Sequence, residues 1–594
     1  MTTSPSNPAR TDYPTIGELP PGVRATLTPT AEEHPAGRRS YRFVLEADRP
    51  VVLPELHIGW TQPATNVRGV WTSGALYEKR LRADWEEADA SSRISVDAPV
   101  VSVFGHDDEN RVTFAWSDAT GSVRLAAPVR EEDNLLYCSV RLFTDVRETT
   151  VRYEALLLVD HTARPYHDCL ADVAAWWEDH HPFAPAPVPP AAYAPIYSTW
   201  YAYHQVIDPT ELLAECRIAK DLGYGTIIVD DGWQTLDDQR GYAYTGDWEP
   251  DRFTEMGDFV DQVHALDMRA MIWYSVPFCG PKSRAYQRFR GKFLTENHRW
   301  APVFDPRYPE VRAYLVDKYV RALQDWRLDG LKLDFIDDFR DYPETPTGAT
   351  DGRDLAGVNE GVDRLMADIA TALHAVKPDV LIEFRQRYVG PALRRVGNLF
   401  RAFDCPNDSV TNRVRTTDVR LIGGSSLTTS DMFTWHPEES VEAAALQLTN
   451  ILFSVPQLSV RLAEQPPAFR RMIAFWTGFY NDHRAVLMGG RFVARRPLDN
   501  YPLLAAETPG HRIVGVYGGE PVRLHPNDRR VDVINGKLSA PVVLHRPEGG
   551  ALPTLTVYDS QGRKQLTPTV DWGVYTVLSA PPSGLLCLTF PATS

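Results

Sequence analysis

The sequence predicts a multidomain protein of the α/β plus β class, with a central (β/α)8 barrel (a TIM barrel) between two domains built of β-strands. Apolar strands alternate with amphipathic helices over residues 195–490. Runs typical of strands, with few helical patterns between them, come before and after this region. A proline-rich stretch separates the first of these β regions from the barrel.

The N-terminal part reads as a β-sandwich over residues 21–180. Its strand candidates are short, alternating and rich in β-branched or aromatic residues, as in RSYRFVLEA, RVTFAWSDA, NLLYCSVRLFT and TVRYEALLLVD. Residues 1–20 are rich in Pro, Ser and Thr and are predicted to be flexible. Residues 181–194, HPFAPAPVPPAAYA, have the composition of an extended linker that marks a domain boundary.

The barrel prediction depends on eight apolar strands with helical patterns between most of them. The strand candidates are 195–200, 225–231, 269–278, 329–335, 379–385, 398–404, 425–431 and 451–459. A doubly wound sheet is the alternative, but the sequence has no GxGxxG or GxxxxGK[ST] turn after a strand. Strand-like runs and hairpin turns return over residues 491–594 and predict a C-terminal antiparallel β-sandwich.

Composition excludes several classes of partner. The net charge of −16 argues against nucleic acid and anionic membranes, both of which select a basic surface. No apolar run is long enough to span a membrane, and the N-terminus has no segment of signal-peptide type. The six cysteines lack the spacing of a thiolate metal site, so we expect reduced cysteines, a cytoplasmic location, and no metal or cofactor.

The chemistry is expected at the carboxyl ends of the barrel strands, where such barrels carry their active sites. The polar and aromatic residues found there are Trp200, Asp230, Asp231, Trp233, Trp273, Tyr274, Lys332, Asp334, Glu383, Arg385, Arg387, Arg401, Asp404, Thr428, Thr429 and Asp431. This set is rich in carboxylates and tryptophans and has no histidine cluster. Aromatic rings pack on the apolar faces of sugars, carboxylates accept hydrogen bonds from hydroxyls, and two carboxylates can cleave a glycosidic bond.

The segment DGLKLDF places a cation and an anion inside an apolar strand. Side chains alternate across a strand, so Lys332 and Asp334 point to the same side, into the barrel mouth. A neighbouring ammonium favours the ionised carboxylate that a nucleophile requires. A buried structural ion pair is the alternative, and such pairs add little stability.

Five segments resemble, in order and spacing, the motifs of clan D glycoside hydrolases: TWYAYHQ, IIVDDGWQ, GDW, MIWYSVP and LKLDF. The sequence is most similar to family 36, the α-galactosidases, with family 27 related to it. The resemblance spans about residues 190–490 and implies an N-terminal β-supersandwich. It further implies that Asp334 is the nucleophile, and that Asp230 and Asp231 hold the sugar's 4- and 6-hydroxyls. It implies Asp404 as the acid/base, with Asp408 as second choice, and Arg401 as the arginine that accompanies it.

One loop departs from the family pattern. After the fifth strand the family has a Gly-rich loop with Cys or Ser, whereas this chain has EFRQRYVGP. Arg385 and Arg387 would suit an extra acidic or strongly hydrogen-bonding group on the sugar, or an ion pair with Glu383. The sequence therefore does not decide the identity of the sugar.

The function predicted is a retaining, exo-acting α-glycosidase, with α-galactosidase favoured. Asp334 and Asp404 are the candidate catalytic residues. The candidate substrate-binding residues are Trp200, Asp230, Asp231, Trp233, Trp273, Lys332, Arg385 and Arg401. One alternative is hydrolysis or transfer of another sugar: an α-N-acetylgalactosaminide, a β-L-arabinopyranoside or an α-glucoside. A non-catalytic carbohydrate-binding protein and a metal-dependent isomerase are two others. The expected partner is an oligosaccharide or glycoside, and the family resemblance allows a homo-oligomer.

Overall fold

The structure is a computed structural model that describes residues 13–591 except 33, 87–88, 146–148, 181–182 and 567–568. Most of the predicted flexible N-terminus, residues 1–12, and the start of the predicted linker, residues 181–182, lie outside the described residues. Thr15–Ile16, within the stretch expected to be flexible, forms a strand that pairs with Ile58 and Gly59.

The N-terminal domain consists of two six-stranded sheets. Its strands are β1 (Thr15–Ile16), β2 (Val23–Pro29), β3 (Arg38–Val52), β4 (Leu56–Pro63), β5 (Gly69–Thr72), β6 (Ala90–Ser92), β7 (Val100–Phe104), β8 (Asn110–Trp116), β9 (Val123–Ala126), β10 (Val129–Arg130), β11 (Leu135–Leu142) and β12 (Thr149–Asp160). One sheet has the order β1-β4-β11-β9-β6, with β10 on β11, and the other has the order β2-β3-β12-β8-β7-β5. Alternating side chains of both sheets meet in one apolar core that includes Phe43, Trp60 and Phe114.

The predicted (β/α)8 barrel is confirmed. Its eight strands are β13 (Ile196–Ser198), β14 (Thr226–Val229), β15 (Arg269–Ser275), β18 (Gly330–Asp334), β19 (Leu381–Arg385), β20 (Leu399–Arg401), β21 (Leu427–Thr429) and β22 (Gln457–Leu458). All neighbouring pairs are parallel, and a bridge between Thr429 and Val455 closes the ring between β21 and β22. A short antiparallel pair, β16 (Phe293–Thr295) and β17 (Val303–Phe304), follows β15.

Helices cover the outside of the barrel. In chain order the helices are α1 (Tyr166–Asp179), which precedes the barrel, α2 (Trp200–Tyr203), α3 (Pro209–Asp221), α4 (Met256–Ala265), α5 (Arg284–Arg288), α6 (Pro309–Trp326), α7 (Val358–Val376), α8 (Pro391–Arg394), α9 (Ser409–Leu421), α10 (Val441–Thr449) and α11 (Pro467–Gly489). Their starts follow local chemistry. Asp208 accepts hydrogen bonds from the first backbone N–H groups of α3, and Pro209 occupies its first turn. No helix in the described part of the chain is long and apolar enough to cross a membrane.

Strand spacing in the barrel requires one glycine. A side chain at Gly330, the first residue of β18, would meet the backbone oxygen of Leu381 at 2.2 Å. The glycine lets β18 and β19 approach, and the rest of β18 is buried. The described part of the predicted linker lies against the end of the barrel where the strands begin. There Ala192 joins an apolar cluster with Ile196 and Leu381, the first residues of β13 and β19.

The C-terminal domain is a sandwich of a six-stranded and a three-stranded sheet. Its strands are β23 (Arg491–Arg495), β24 (Leu503–Thr508), β25 (His511–Val516), β26 (Val522–Arg523), β27 (Arg530–Asn535), β28 (Pro541–His545), β29 (Thr554–Tyr558), β30 (Tyr575–Ser579) and β31 (Leu585–Thr589). The sheets are antiparallel, as predicted, except that β25 pairs with β27 and β26 pairs with β28 in parallel. This happens because the chain crosses to the second sheet at β26 before it returns.

Candidate active site

The predicted site residues lie where the barrel strands end. Asp334 is the last residue of β18, Arg385 the last of β19 and Arg401 the last of β20. Asp230 and Asp231 follow β14 directly. Because parallel strands present their carboxyl ends at one rim, these side chains come together at a single mouth of the barrel.

Asp334 is the most tightly held of them. It is 7% exposed. One oxygen, Oδ1, accepts hydrogen bonds from Nε of Arg385 at 2.6 Å, the hydroxyl of Tyr388 at 2.9 Å and the backbone N–H of Phe335 at 2.7 Å. The other oxygen, Oδ2, accepts one from the indole N–H of Trp273 at 3.0 Å. The carboxylate is thereby fixed in orientation, with Oδ2 the less engaged atom.

Three cations decide the charge of Asp334. Burial by itself would raise the pKa of this carboxyl group, but Arg385, Lys332 and Arg401 together hold it well below its usual range. Asp334 is therefore an anion at neutral pH.

Lys332 bonds to a residue at the end of β14, on the far side of β15, rather than along its own strand. Its ammonium donates to Oδ2 of Asp230 at 2.5 Å, and both side chains are 4% exposed. Asp230 is placed by its backbone N–H, which donates to Oγ1 of Thr199 at 2.9 Å. Lys332 thus acts on two carboxylates. It pairs with Asp230, and its charge also lowers the pKa of Asp334, the residue predicted to share its side of β18.

Asp231 occupies the tight turn after β14. Its two oxygens accept hydrogen bonds from the side-chain amides of Gln205 and Gln234, both at 2.7 Å. Burial, reinforced by the charge of Asp230, raises the pKa of Asp231 to about 7. The next residue, Gly232, has φ of 117°, and a side chain there would overlap the backbone of Gln205.

The tryptophans predicted to bind substrate occupy different depths. Trp273 is 2% exposed and bonds Asp334. Trp233 has no exposed surface and donates to the backbone oxygen of Trp273 at 2.8 Å, so it supports Trp273 from behind. Trp200 is partly exposed, with the ring of His204 edge-on at 4.6 Å and the guanidinium of Arg240 at 5.4 Å.

Asp404 is the accessible carboxylate of the mouth. Its side chain is 44% exposed, and Nη1 of Arg401 donates to its Oδ1 at 2.9 Å. Burial would raise the pKa of Asp404, but Arg401, Arg385 and Lys332 outweigh burial and lower it, while the charge of Asp334 opposes them. Asp404 and Asp334 therefore lie close enough for the charge of one to act on the proton of the other.

Asp408, the second choice for the same role, has a structural task. Its side chain caps α9, since Oδ1 accepts the backbone N–H of Thr411 at 2.9 Å and Oδ2 accepts the hydroxyl of Thr411 at 2.6 Å. This is the geometry of a helix N-cap.

The guanidinium of Arg401 is shared among three carboxylates. It is 1% exposed and bonds Asp431 as well as Asp404, and its Nε lies 3.7 Å from Glu383. Burial raises the pKa of Asp431 to about 6, and the hydroxyl of Tyr201 donates to this carboxyl group at 2.8 Å. One nitrogen of Arg401, Nη1, therefore links Asp404 to Asp431.

The two arginines of the loop after β19 are both engaged. Arg385 bonds Asp334 and lies over the rings of Phe335 and Phe403 at 5.1 and 4.7 Å. Arg387 donates to Oδ2 of Asp97, in the N-terminal domain, at 2.5 Å. The ion pairs are thus with Asp334 and Asp97 rather than with Glu383.

One segment of the N-terminal domain reaches the rim of the barrel beside the loops after β18 and β19. The backbone N–H of Asp97 donates to the backbone oxygen of Arg387 at 2.5 Å, and the hydroxyl of Ser95 donates to the backbone oxygen of Phe339 at 3.2 Å. A cavity of about 310 Å³ opens beside the side chains of Asp97 and Arg387. The loops after β18 and β19 are therefore supported from outside the barrel.

Tyr242 is a site residue that no motif announces. Its ring stacks on Trp273 with centroids 5.9 Å apart. After burial, the charges of Asp231, Asp334, Asp230 and Asp404 are the next causes that raise the pKa of its hydroxyl, which places this group among the four carboxylates of the mouth. Trp300 meets the ring of Tyr242 edge-on at 5.8 Å and is 46% exposed. The aromatic series Trp273, Tyr242 and Trp300 leads from Asp334 to the surface.

Comparison with known proteins gives the fold. No model of a protein family and no curated protein sequence matches this chain. Among solved structures, the α-galactosidase from Lactobacillus brevis superposes with a TM-score of 0.63 at 14% identity, covering 98% of this chain and 86% of that one. The family 36 α-galactosidase AgaB from Geobacillus stearothermophilus gives a TM-score of 0.64 at 14% identity, covering 96% and 81%.

A third similar structure contains an oligosaccharide. It is a variant of the family 36 α-galactosidase AgaA from Geobacillus stearothermophilus in complex with stachyose, with a TM-score of 0.62 at 12% identity, covering 98% of this chain and 87% of that one. The chain thus shares with these proteins a TIM barrel flanked by β domains.

Proposed function

We propose that this chain, which has the fold of the family 36 α-galactosidases, is itself a glycoside hydrolase that removes terminal α-galactosyl residues with retention of configuration. The observation that carries the proposal is the contrast between two carboxylates at one mouth. Asp334 is buried, oriented by four donors and anionic. Asp404 is 44% exposed and electrostatically linked to it.

In the first step Asp334 attacks the anomeric carbon, and we assign the attack to Oδ2, which among the described residues accepts only the Trp273 hydrogen bond. The glycosidic bond breaks as Asp404 gives its proton to the departing oxygen, and a glycosyl ester forms on Asp334. Asp404 can acquire that proton when the sugar displaces water from its exposed side and Arg401 turns toward Asp431.

In the second step Asp404 removes a proton from water, which attacks the anomeric carbon, breaks its bond to Asp334 and releases the sugar. The charges favour this exchange of roles. In the free enzyme the negative charge of Asp334 raises the pKa of Asp404. Ester formation removes that charge, which lowers the pKa of Asp404. Asp404 therefore stays ionised and can act as the base in the second step.

The polar floor of the mouth supports a terminal sugar as substrate. Asp230, Asp231 and Lys332 are nearly fully buried beneath the rim. They offer carboxylate acceptors and an ammonium donor to the hydroxyl groups of a terminal sugar at the mouth. Because Arg385 and Arg387 are each paired with a carboxylate, we favour a neutral sugar over one with an extra acidic group.

The test is hydrolysis of an aryl α-galactoside by the wild-type chain and by Asp334→Ala. We expect the variant to lose turnover, and added azide to restore it by forming the β-galactosyl azide in the space left by the carboxylate. Unchanged hydrolysis by the variant would contradict the assignment of Asp334. A panel of aryl glycosides with other sugars, run beside it, decides the sugar, and binding without turnover of any of them would favour a carbohydrate-binding protein.

A further inference from the structure

A second cluster of chemically active side chains lies between α11 and the C-terminal sandwich. His483 comes from α11, His511 begins β25, and Asp532 lies in β27. One ligand-type atom from each of these three residues lies within 4.8 Å of the other two. The proposed hydrolase chemistry uses none of them.

Sheet register accounts for part of this arrangement. His511 pairs with Arg530 in the parallel ladder of β25 and β27, and Arg530 and Asp532, two residues apart, share a face. Nε2 of His511 lies 2.7 Å from Oδ2 of Asp532. His483 reaches the same place from the helix, and its ring meets that of His511 edge-on with centroids 5.4 Å apart.

The carboxylate of Asp532 has unused bonding capacity. The residue has no exposed surface, and its Oδ1 accepts no hydrogen bond in the described part of the chain. Leaving a buried carboxylate oxygen without a donor is costly. The thiol of Cys587, opposite Asp532 on β31, is a weak donor to this carboxylate. Burial and the charge of Asp532 raise the pKa of Cys587 to about 12, so the thiol stays protonated.

Arg530 now supplies a positive charge to the cluster. Its Nε donates to Oδ2 of Asp532 at 2.8 Å, and its Nη2 lies 3.2 Å from Nε2 of His483. The side chain is 41% exposed. The guanidinium can therefore turn outward into solvent and leave its place to another cation.

We propose that His483, His511 and Asp532 form a binding site for a divalent transition-metal ion of the Zn²⁺ type. In this proposal the bound ion displaces Arg530 and joins α11, the last barrel helix, to the C-terminal sandwich. Two imidazole nitrogens and one carboxylate oxygen are a ligand set that Zn²⁺ accepts, with water in the fourth position. Both histidines are partly exposed, which gives that water access. Ca²⁺ and Mg²⁺ select oxygen ligands and are excluded by the same set.

The test uses the full chain, stripped of metal with a chelator and titrated with CoCl2, then with ZnCl2. We expect one Co²⁺ per chain, a visible absorption band typical of low coordination number, and its loss when Zn²⁺ displaces Co²⁺. Zn²⁺ should also raise the temperature of thermal unfolding, because it binds only the folded chain. These readouts do not depend on glycosidase activity.

Three variants decide the assignment. His483→Gln and His511→Gln should each weaken Co²⁺ and Zn²⁺ binding by about tenfold or more. Arg530→Gln should tighten it, since the competing cation is gone. His436→Gln, at an exposed histidine elsewhere, is the matched control and should bind as the wild type does.

Two results would overturn the proposal. One is the lack of saturable binding by both the wild type and Arg530→Gln. The other is equal binding by His483→Gln and by His436→Gln. In either case the cluster is a hydrogen-bonded junction between α11 and the sandwich, and Arg530→Gln would then only destabilise the fold.

Discussion

Nε of Arg385 donates to Oδ1 of Asp334 at 2.6 Å, and the guanidinium of Arg385 lies over the rings of Phe335 and Phe403. Arg385 belongs to the loop that departs from the family pattern. The loop that left the sugar undecided therefore supplies the most direct partner of the predicted nucleophile. Its role is to orient one carboxylate oxygen and keep the group ionised.

The first prediction concerns Arg385→Gln. Removing the guanidinium raises the pKa of Asp334, which must be ionised to attack, so activity should be lost at a higher pH as the solution is acidified. We expect the acid limb of the profile of kcat/KM against pH to move up by about one unit or more. Arg387→Gln, which removes an arginine paired with Asp97 instead, should leave that limb in place. Equal shifts in both variants would show that the loop, and not the Arg385 contact, sets the limb.

The second prediction separates Asp404 from Asp408. Asp404→Asn should lower kcat by about 10²–10⁴-fold on substrates whose leaving group needs protonation, and much less on an α-galactoside with an activated aryl leaving group. Asp408→Asn should keep wild-type activity and stability, because asparagine caps a helix as well as aspartate does. The reverse outcome, with activity lost only in the Asp408 variant, would move the acid/base assignment to the start of α9.

The third prediction concerns the exposed ring of Trp300, which extends the aromatic series from Trp273 through Tyr242. We expect this ring to contact the leaving-group sugar. Trp300→Ala should lower kcat/KM for an α-galactosyl disaccharide by about three- to tenfold, the scale of one aromatic contact. Hydrolysis of α-galactosyl fluoride, whose leaving group is too small to reach the ring, should be unchanged. A parallel loss on both substrates would mean that Trp300 supports Tyr242 instead.

The fourth prediction is a pH dependence of stability caused by Asp231. Its pKa in the folded chain is about 7, above the value of an unfolded aspartate, so the folded state binds this proton more tightly. Its contribution to the free energy of unfolding is fully present below the unfolded pKa and is lost as pH rises toward about 7. The three-unit difference corresponds to at most about 4 kcal/mol.

Asp231→Asn cannot ionise and escapes this loss. The unfolding temperature of the variant relative to the wild type should therefore rise between pH 4.5 and pH 7.5, while substrate binding weakens. Asp48→Asn, at an exposed carboxylate in the N-terminal domain, is the control and should show a flat difference. A flat difference for Asp231→Asn as well would mean that the buried carboxyl group is ionised at little cost.

The sequence predicts those features of the fold and the site that depend on patterns within one segment of the chain. Apolar strands that alternate with helical patterns predict the barrel, and turn residues mark where its strands end. Together they place Asp230, Asp231, Lys332 and Asp334 at one rim. The direction of Lys332 follows from the two-residue repeat of a strand. Its partner, Asp230, does not, because the pairing depends on how β14 and β18 lie on either side of β15 in the folded sheet.

The residues that the sequence does not announce come from loops and from another domain. Tyr242 lies in an irregular loop after β14, and Tyr388 in the loop after β19. Asp97 reaches Arg387 over 290 residues of sequence. Such contacts have no periodicity and no fixed spacing, so only the folded chain reveals them. For Trp233 the reverse holds. Its motif is recognisable in the sequence, but its full burial is due to Trp248 and Trp326, which pack on it in the folded chain.

The most direct measurement is the site of covalent attachment. The chain is incubated with 5-fluoro-α-D-galactosyl fluoride, which forms the ester faster than it is hydrolysed, then digested and analysed by mass spectrometry. We expect one fluorogalactosyl group per chain, on the peptide that contains Asp334, and none after Asp334→Ala. Labelling of a different carboxylate, or steady turnover of galactosides with inversion at the anomeric carbon, would contradict the account.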